Sequence, residues 1–146
     1  MLTYYSWMEN GGEVTAKQFR ALPRDEQMDI LDYLEDASAY ETLEINGKRF
    51  ILVHAGIAGF DPDKELDEYE LEDFLWERAD YGKKYFPEDN VFLVTGHTPT
   101  ATILDKPVIY EHNNHLAVDC GCVFGGTLAA YCFETGSAVY VPSKMQ

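Results

Sequence analysis

Two histidines in this 146-residue chain stand where chemistry collects. The apolar run Phe50-Ile51-Leu52-Val53 leads into His54-Ala55-Gly56, and Val91-Phe92-Leu93-Val94 leads into Thr95-Gly96-His97-Thr98-Pro99. In each case a buried-type strand ends, a glycine opens a turn and an imidazole projects from it. In sheets with parallel strands, ligand sites gather beyond the carboxyl ends of the strands. Neutral imidazoles delivered there by neighbouring strands are natural metal ligands. Taken singly, each histidine also reads as a hydrogen-bonded structural residue, and spacing alone does not decide between the two. A third feature is Asp119-Cys120-Gly121, followed by Gly125-Gly126, where the glycines allow a tight rim or a sharp turn between strands.

These residues need elements to hold them. Thr15 is expected to cap a short helix through about Leu22, and Pro23 suits the first turn of a second. Met28, Ile30, Leu31 and Leu34 give that second helix an apolar face. Tyr40–Ile45, then Asn46-Gly47, then Lys48–Val53 spells a hairpin, because both turn residues need positive φ. The all-apolar end of Lys48–Val53 marks it as a central strand covered on both faces, and Val91–Val94 reads as another buried strand. Leu66–Ala79 reads as a helix or part of one. Short strands are expected at Ala101–Leu104, Val108–Glu111, His115–Val118, Leu128–Glu134 and Ala138–Val141. Helices and a hairpin early, and strands late, give a single mixed α/β domain spanning 1–146.

Charge and composition narrow the function. Against 11 Lys+Arg stand 26 Asp+Glu, a formal charge of −15. Such a surface repels nucleic-acid phosphates and anionic lipid heads, so neither is an expected partner. A local cationic or metal site for a phosphate remains open. No apolar run approaches the roughly 18–20 residues that span a bilayer, and no signal segment is apparent, so the expected compartment is the cytoplasm. The odd count of three cysteines, Cys120, Cys122 and Cys132, fits reduced thiols. Asp61–Asp73 holds eight acidic residues and one lysine, a solvated loop and helix face before it is a calcium site.

In order and spacing, His54-Ala55-Gly56, Trp76-Glu77-Arg78, Gly96-His97-Thr98-Pro99 and Asp119-Cys120-Gly121 with Gly125-Gly126-x-Leu128 resemble the metal-dependent phosphoprotein phosphatase family. The likeness is to its bacterial and bacteriophage-lambda serine/threonine type, with diadenosine tetraphosphatases as cousins. Trp7-Met8-Glu9-Asn10-Gly11-Gly12 looks like the segment that follows that family's Gly-Asn-His-Glu motif.

The resemblance implies the C-terminal part of a metallophosphoesterase β-sandwich flanked by helices. It implies a two-metal phosphoesterase with ions of the manganese, iron or zinc type, acting on a phosphoprotein or a small phosphoester. His54 and His97 match the two histidines on the second metal, and Arg78 matches a phosphate-binding arginine that can grip phosphoryl oxygens bidentately. The family's Gly-Asp-x-His-Gly, Gly-Asp-x-x-Asp-Arg-Gly and Gly-Asn-His-Glu motifs are not in the sequence, and with them go the bridging carboxylate and the group that protonates the leaving group. No catalytic acid or base is therefore assigned, Met1 is expected to be an internal start or an imposed boundary, and the chain alone is expected to be inactive. The alternatives are a non-catalytic binding or structural remnant, a site completed by another polypeptide, and part of a diadenosine-polyphosphate hydrolase. Strands carrying the missing motifs would pair near Phe50–Val53 or Val91–Val94, so an uncovered edge there, and a homo-oligomer through it, is expected.

Overall fold

A computed structural model describes residues 4–144. The chain divides into two compact units, residues 1–38 and 39–146. In the first unit, α1 (Tyr4–Trp7) leads through a kinked turn over Met8–Gly12 into α2 (Glu13–Ala21), and α3 (Arg24–Glu35) follows. Thr15 lies inside α2 rather than capping it. Gly12 already has helical dihedrals, so the helix runs straight on from the turn. Pro23 stands just before α3, and its carbonyl accepts the Gln27 N–H at 3.0 Å. Ile30, Leu31 and Leu34 of α3 remain substantially exposed and, with Phe19 of α2, line an apolar groove of about 420 Å³.

The second unit is built on the hairpin of β1 (Tyr40–Ile45) and β2 (Lys48–Val53), with Asn46 and Gly47 both at positive φ. To β2 the chain adds β3 (Val91–Thr95) in parallel, and to β3 it adds β5 (His115–Ala117) in parallel. Antiparallel β4 (Tyr110–His112) closes the order β1-β2-β3-β5-β4. Both apolar runs expected to be left unpaired are therefore interior strands. The edges of this sheet are β1 and β4 instead.

One face of the sheet, through Ile51, Val53, Val91 and Leu93, packs on the long crossover between β2 and β3, including Tyr69, Tyr85 and Phe74 of α4 (Leu71–Leu75). On the other face lie Phe50, Val94 and Leu116. That face meets the separate hairpin of β6 (Thr127–Cys132) and β7 (Ser137–Pro142) through Tyr131 and Phe133, the Phe50 and Phe133 rings being 4.4 Å apart. The architecture is mixed α/β, as expected.

One expected strand is not formed. Ala101–Leu104 is a helical turn, α5, not a strand. The Pro99 carbonyl accepts both the N–H and the hydroxyl of Thr102, at 2.9 and 2.7 Å, and Thr100 accepts from Ile103 and Leu104. The five residues between Pro99 and the left-handed Asp105 are taken up by this turn. The acidic Asp61–Asp73 run uses its carboxylates on its own backbone. Glu68 accepts the Glu65 N–H at 2.8 Å and Asp73 accepts the Glu70 N–H at 3.0 Å, each closing a capping box.

Candidate active site

Because β2, β3 and β5 run parallel, their carboxyl ends lie at one end of the sheet. His54 follows β2 at once, His97 lies two residues beyond β3, and Asp119 two residues beyond β5. The ladder extends into the site: Gly96 N–H donates to the His54 carbonyl at 2.9 Å, and Val118 N–H to the Thr95 carbonyl at 2.8 Å. The structure thus brings together the two histidines singled out in the sequence. His54 Nε2 lies 3.1 Å from His97 Nδ1, and the Trp76 ring stands edge-on to His97 at 6.2 Å.

His97 sits at φ +62 in a three-residue turn, with Thr98 N–H donating to the Gly96 carbonyl at 2.6 Å. A non-glycine residue in this region costs of order 1–3 kcal/mol and persists where surroundings over-determine it. The sequence suggested that the neighbouring glycine opens this turn, but the histidine itself takes the positive φ. Gly56 has a different task. A Cβ there would stand 2.5 Å from the Glu77 carbonyl oxygen and 3.0 Å from the Ala79 nitrogen, so its bare backbone is what lets the Arg78 segment approach.

Arg78 is exposed, but its segment is fixed beyond the side chain. The Tyr81 carbonyl accepts from the Tyr110 hydroxyl at 2.6 Å and the Asn113 amide at 3.1 Å, and the Asp80 N–H donates to the Tyr85 hydroxyl at 2.7 Å. Burial, and then the charges of His54 and Arg78, hold the His97 pKa below the ordinary imidazole value, with Asp119 opposing. Arg78 is therefore electrostatically coupled to His97. Asp119 is half-buried and uses one carboxylate oxygen to accept the Gly121 N–H at 2.8 Å, while its carbonyl accepts the Thr100 N–H. Burial, with Asp119 next, pushes the Tyr81 hydroxyl up to about 12, so Tyr81 is a neutral phenol at physiological pH. Tyr81, Tyr110 and Asn113 had no local signal in the sequence, since only tertiary packing joins them to the site.

Among the described residues, no group of three or more His, Cys, Asp or Glu is arranged to hold an ion. The two imidazoles do fit a shared ligand role. Bonds of about 2.0–2.1 Å to one ion, at angles from right to tetrahedral, put two nitrogens roughly 3 Å apart, as His54 and His97 are. The cysteines stand apart from this role as free thiols, with Cys120 buried, Cys122 half-buried and Cys132 exposed.

Beneath the site, His115 is 1% exposed, with Nε2 2.8 Å from the Thr95 hydroxyl and Nδ1 without a hydrogen-bond partner among the described residues. Burial pushes its pKa down to about 4. Between that value and the unfolded imidazole's about 6.5, the unfolded chain binds the extra proton. Stability therefore falls as pH drops through this window, by about 3 kcal/mol in all. Urea unfolding of the wild type and His115→Gln from pH 7 to 4 should show the wild type losing about that much more. Equal pH profiles would rule out a buried neutral imidazole.

No family model matches the chain. Curated relatives do. The bis(5'-nucleosyl)-tetraphosphatase PrpE (asymmetrical) of Geobacillus sp. (strain WCH70) is 33% identical over 153 residues, covering 93% of this chain and 58% of the relative. That of Geobacillus thermodenitrificans (strain NG80-2) is 32% identical, with the same coverage. That of Oceanobacillus iheyensis is 30% identical and 57% covered. A crystal structure of a candidate diadenosine tetraphosphatase superposes with a TM-score of 0.53 at 22% identity, covering 85% of this chain and 57% of that one, a likeness of fold. The particular relatives are dinucleoside tetraphosphatases by name, and the chain spans a little over half their length. Among the described residues, no helix is long and apolar enough to cross a membrane.

Proposed function

We propose that this chain takes part in metal-dependent hydrolysis of a phosphoester, with a dinucleoside polyphosphate as the substrate. The observation that carries the reading is the 3.1 Å imidazole pair at the ends of adjacent parallel strands, with the Arg78 charge coupled to His97. His54 and His97 would hold a divalent ion, which supplies Lewis-acid charge neutralisation and a nucleophile from water when bound. Arg78 would grip and orient the phosphoryl oxygens. The sequence resemblance put serine/threonine phosphatases first and diadenosine tetraphosphatases second; the names of the relatives favour the second. Two imidazoles and one arginine provide neither a bridge between two ions nor an acid for the leaving group.

The test has two parts. Manganese binding, followed by loss of the free-ion electron paramagnetic resonance signal, should include a component absent from His54→Ala and His97→Ala. Binding unchanged in both variants would remove the shared-ligand reading. Diadenosine tetraphosphate turnover by the 146-residue chain with manganese should stay below detection. Robust turnover abolished by His97→Ala would show that these residues build a complete site.

A further inference from the structure

Next to the histidines lies a groove of about 630 Å³ that the phosphate chemistry does not use in full. Arg78 lines it together with Pro99 and Pro107, the Gly125-Gly126 backbone and the ring of Phe124. Among the described residues no acidic side chain lines it, in a chain carrying 26 of them, and Arg78 is the one charged residue there. It is therefore cationic on one side and apolar elsewhere. Phe124 is 80% exposed, so its ring face is open to a ligand. Its loop is nevertheless tightly built. Gly121 accepts from Phe124 and Gly126, each at 2.9 Å, and Ser143 N–H donates to the Gly126 carbonyl at 2.9 Å. Gly126 permits this closure, since a Cβ there would stand 2.1 Å from the Cys120 carbonyl oxygen. At Gly125 a Cβ would meet nothing within 4 Å, so a flat ligand has free approach to the backbone.

The geometry points to a nucleobase subsite: the groove takes the planar aromatic base of a nucleotide, stacked on Phe124 between the proline walls, while the attached phosphates lie at Arg78. A polyanion with an aromatic end matches the two characters of the groove. The volume falls within the range of about 300–1,000 Å³ ordinary for small-molecule sites. Stacking on an aromatic side chain is tolerant of base identity, since every base offers a π face. This inference rests on the phosphate reading of Arg78 and adds to it a contact that a simple phosphoester does not make.

The test is calorimetric titration of the full chain with two probes, diadenosine tetraphosphate and inorganic tripolyphosphate, in the presence of manganese. The wild type should bind the dinucleotide more tightly than the tripolyphosphate by about tenfold to a hundredfold, the ordinary worth of base–aromatic stacking. Phe124→Ala should erase that advantage and leave tripolyphosphate binding unchanged, and Phe124→Trp should retain it. The ring is exposed, so all three proteins should show the same circular dichroism and unfolding midpoint. If Phe124→Ala binds the dinucleotide as the wild type does, the base subsite is overturned while the phosphate reading stands. If neither probe binds the wild type, the phosphate reading fails and takes the subsite with it.

Discussion

Replacing His97 by glycine should separate stability from ion binding. Because His97 holds φ +62, the glycine variant should be about 1 kcal/mol more stable than His97→Ala, the reverse of the usual order in regular structure. Both variants lose one of the two facing imidazoles. Ion affinity should fall by at least about a hundredfold in each, since even loss of an outer-shell partner typically costs 10- to 100-fold. Urea unfolding gives the first quantity and manganese titration the second. An alanine variant as stable as the glycine variant would mean that the backbone at position 97 relaxes and carries no strain.

Adding one methyl group at Gly56 should do more damage to the fold than removing the His97 ring. The new Cβ would stand 2.5 Å from the Glu77 carbonyl oxygen and 3.0 Å from the Ala79 nitrogen. Neither side yields easily: Ala79 is buried, and the neighbouring Ala55 N–H is tied to the Phe74 carbonyl at 2.9 Å. Gly56→Ala should cost about 3 kcal/mol, the upper part of the usual range for overpacking. It should also displace Arg78 and weaken tripolyphosphate binding. Gly96→Ala is the matched control, because its Cβ would find the His54 carbonyl oxygen at an ordinary 3.4 Å and should cost under about 1 kcal/mol. A Gly56→Ala protein with wild-type stability and anion binding would refute the close approach.

The parts legible in the sequence were those written in neighbouring residues. Asn46-Gly47 announced the hairpin because its requirement for positive φ is local. The apolar runs ending at Val53 and Val94 announced buried strands, though not that neighbours would cover both their edges, and the imidazoles after them announced a pair that the fold brings to 3.1 Å. Ala101–Leu104 was misread because a β-branched threonine and isoleucine favour a strand, whereas the preceding Pro99 carbonyl captures Thr102 and starts a turn. The task of Gly56 was out of reach because the backbone that demands it lies at Glu77 and Ala79, more than twenty residues on. Gly125-Gly126 read as a turn, which it is, but the exposure of Phe124 beside it is decided by strands elsewhere in the chain. Asp119 belonged to a recognised motif, yet only the fold shows it anchoring two backbone N–H groups at the rim.

The hydrogen bond from Gly96 to the His54 carbonyl makes the floor of the site a last rung of the parallel sheet. The two imidazoles are thus mounted on a stiff frame, not on two independently mobile loops. Under the proposed metal role, an ion arriving there would meet imidazoles already spaced for it, so little of its binding free energy would go into ordering the chain. The same rigidity would then give the pair a size preference of mechanical origin: an ion demanding a much wider bite would have to stretch a strand pairing, a cost that a loop-borne pair would not impose.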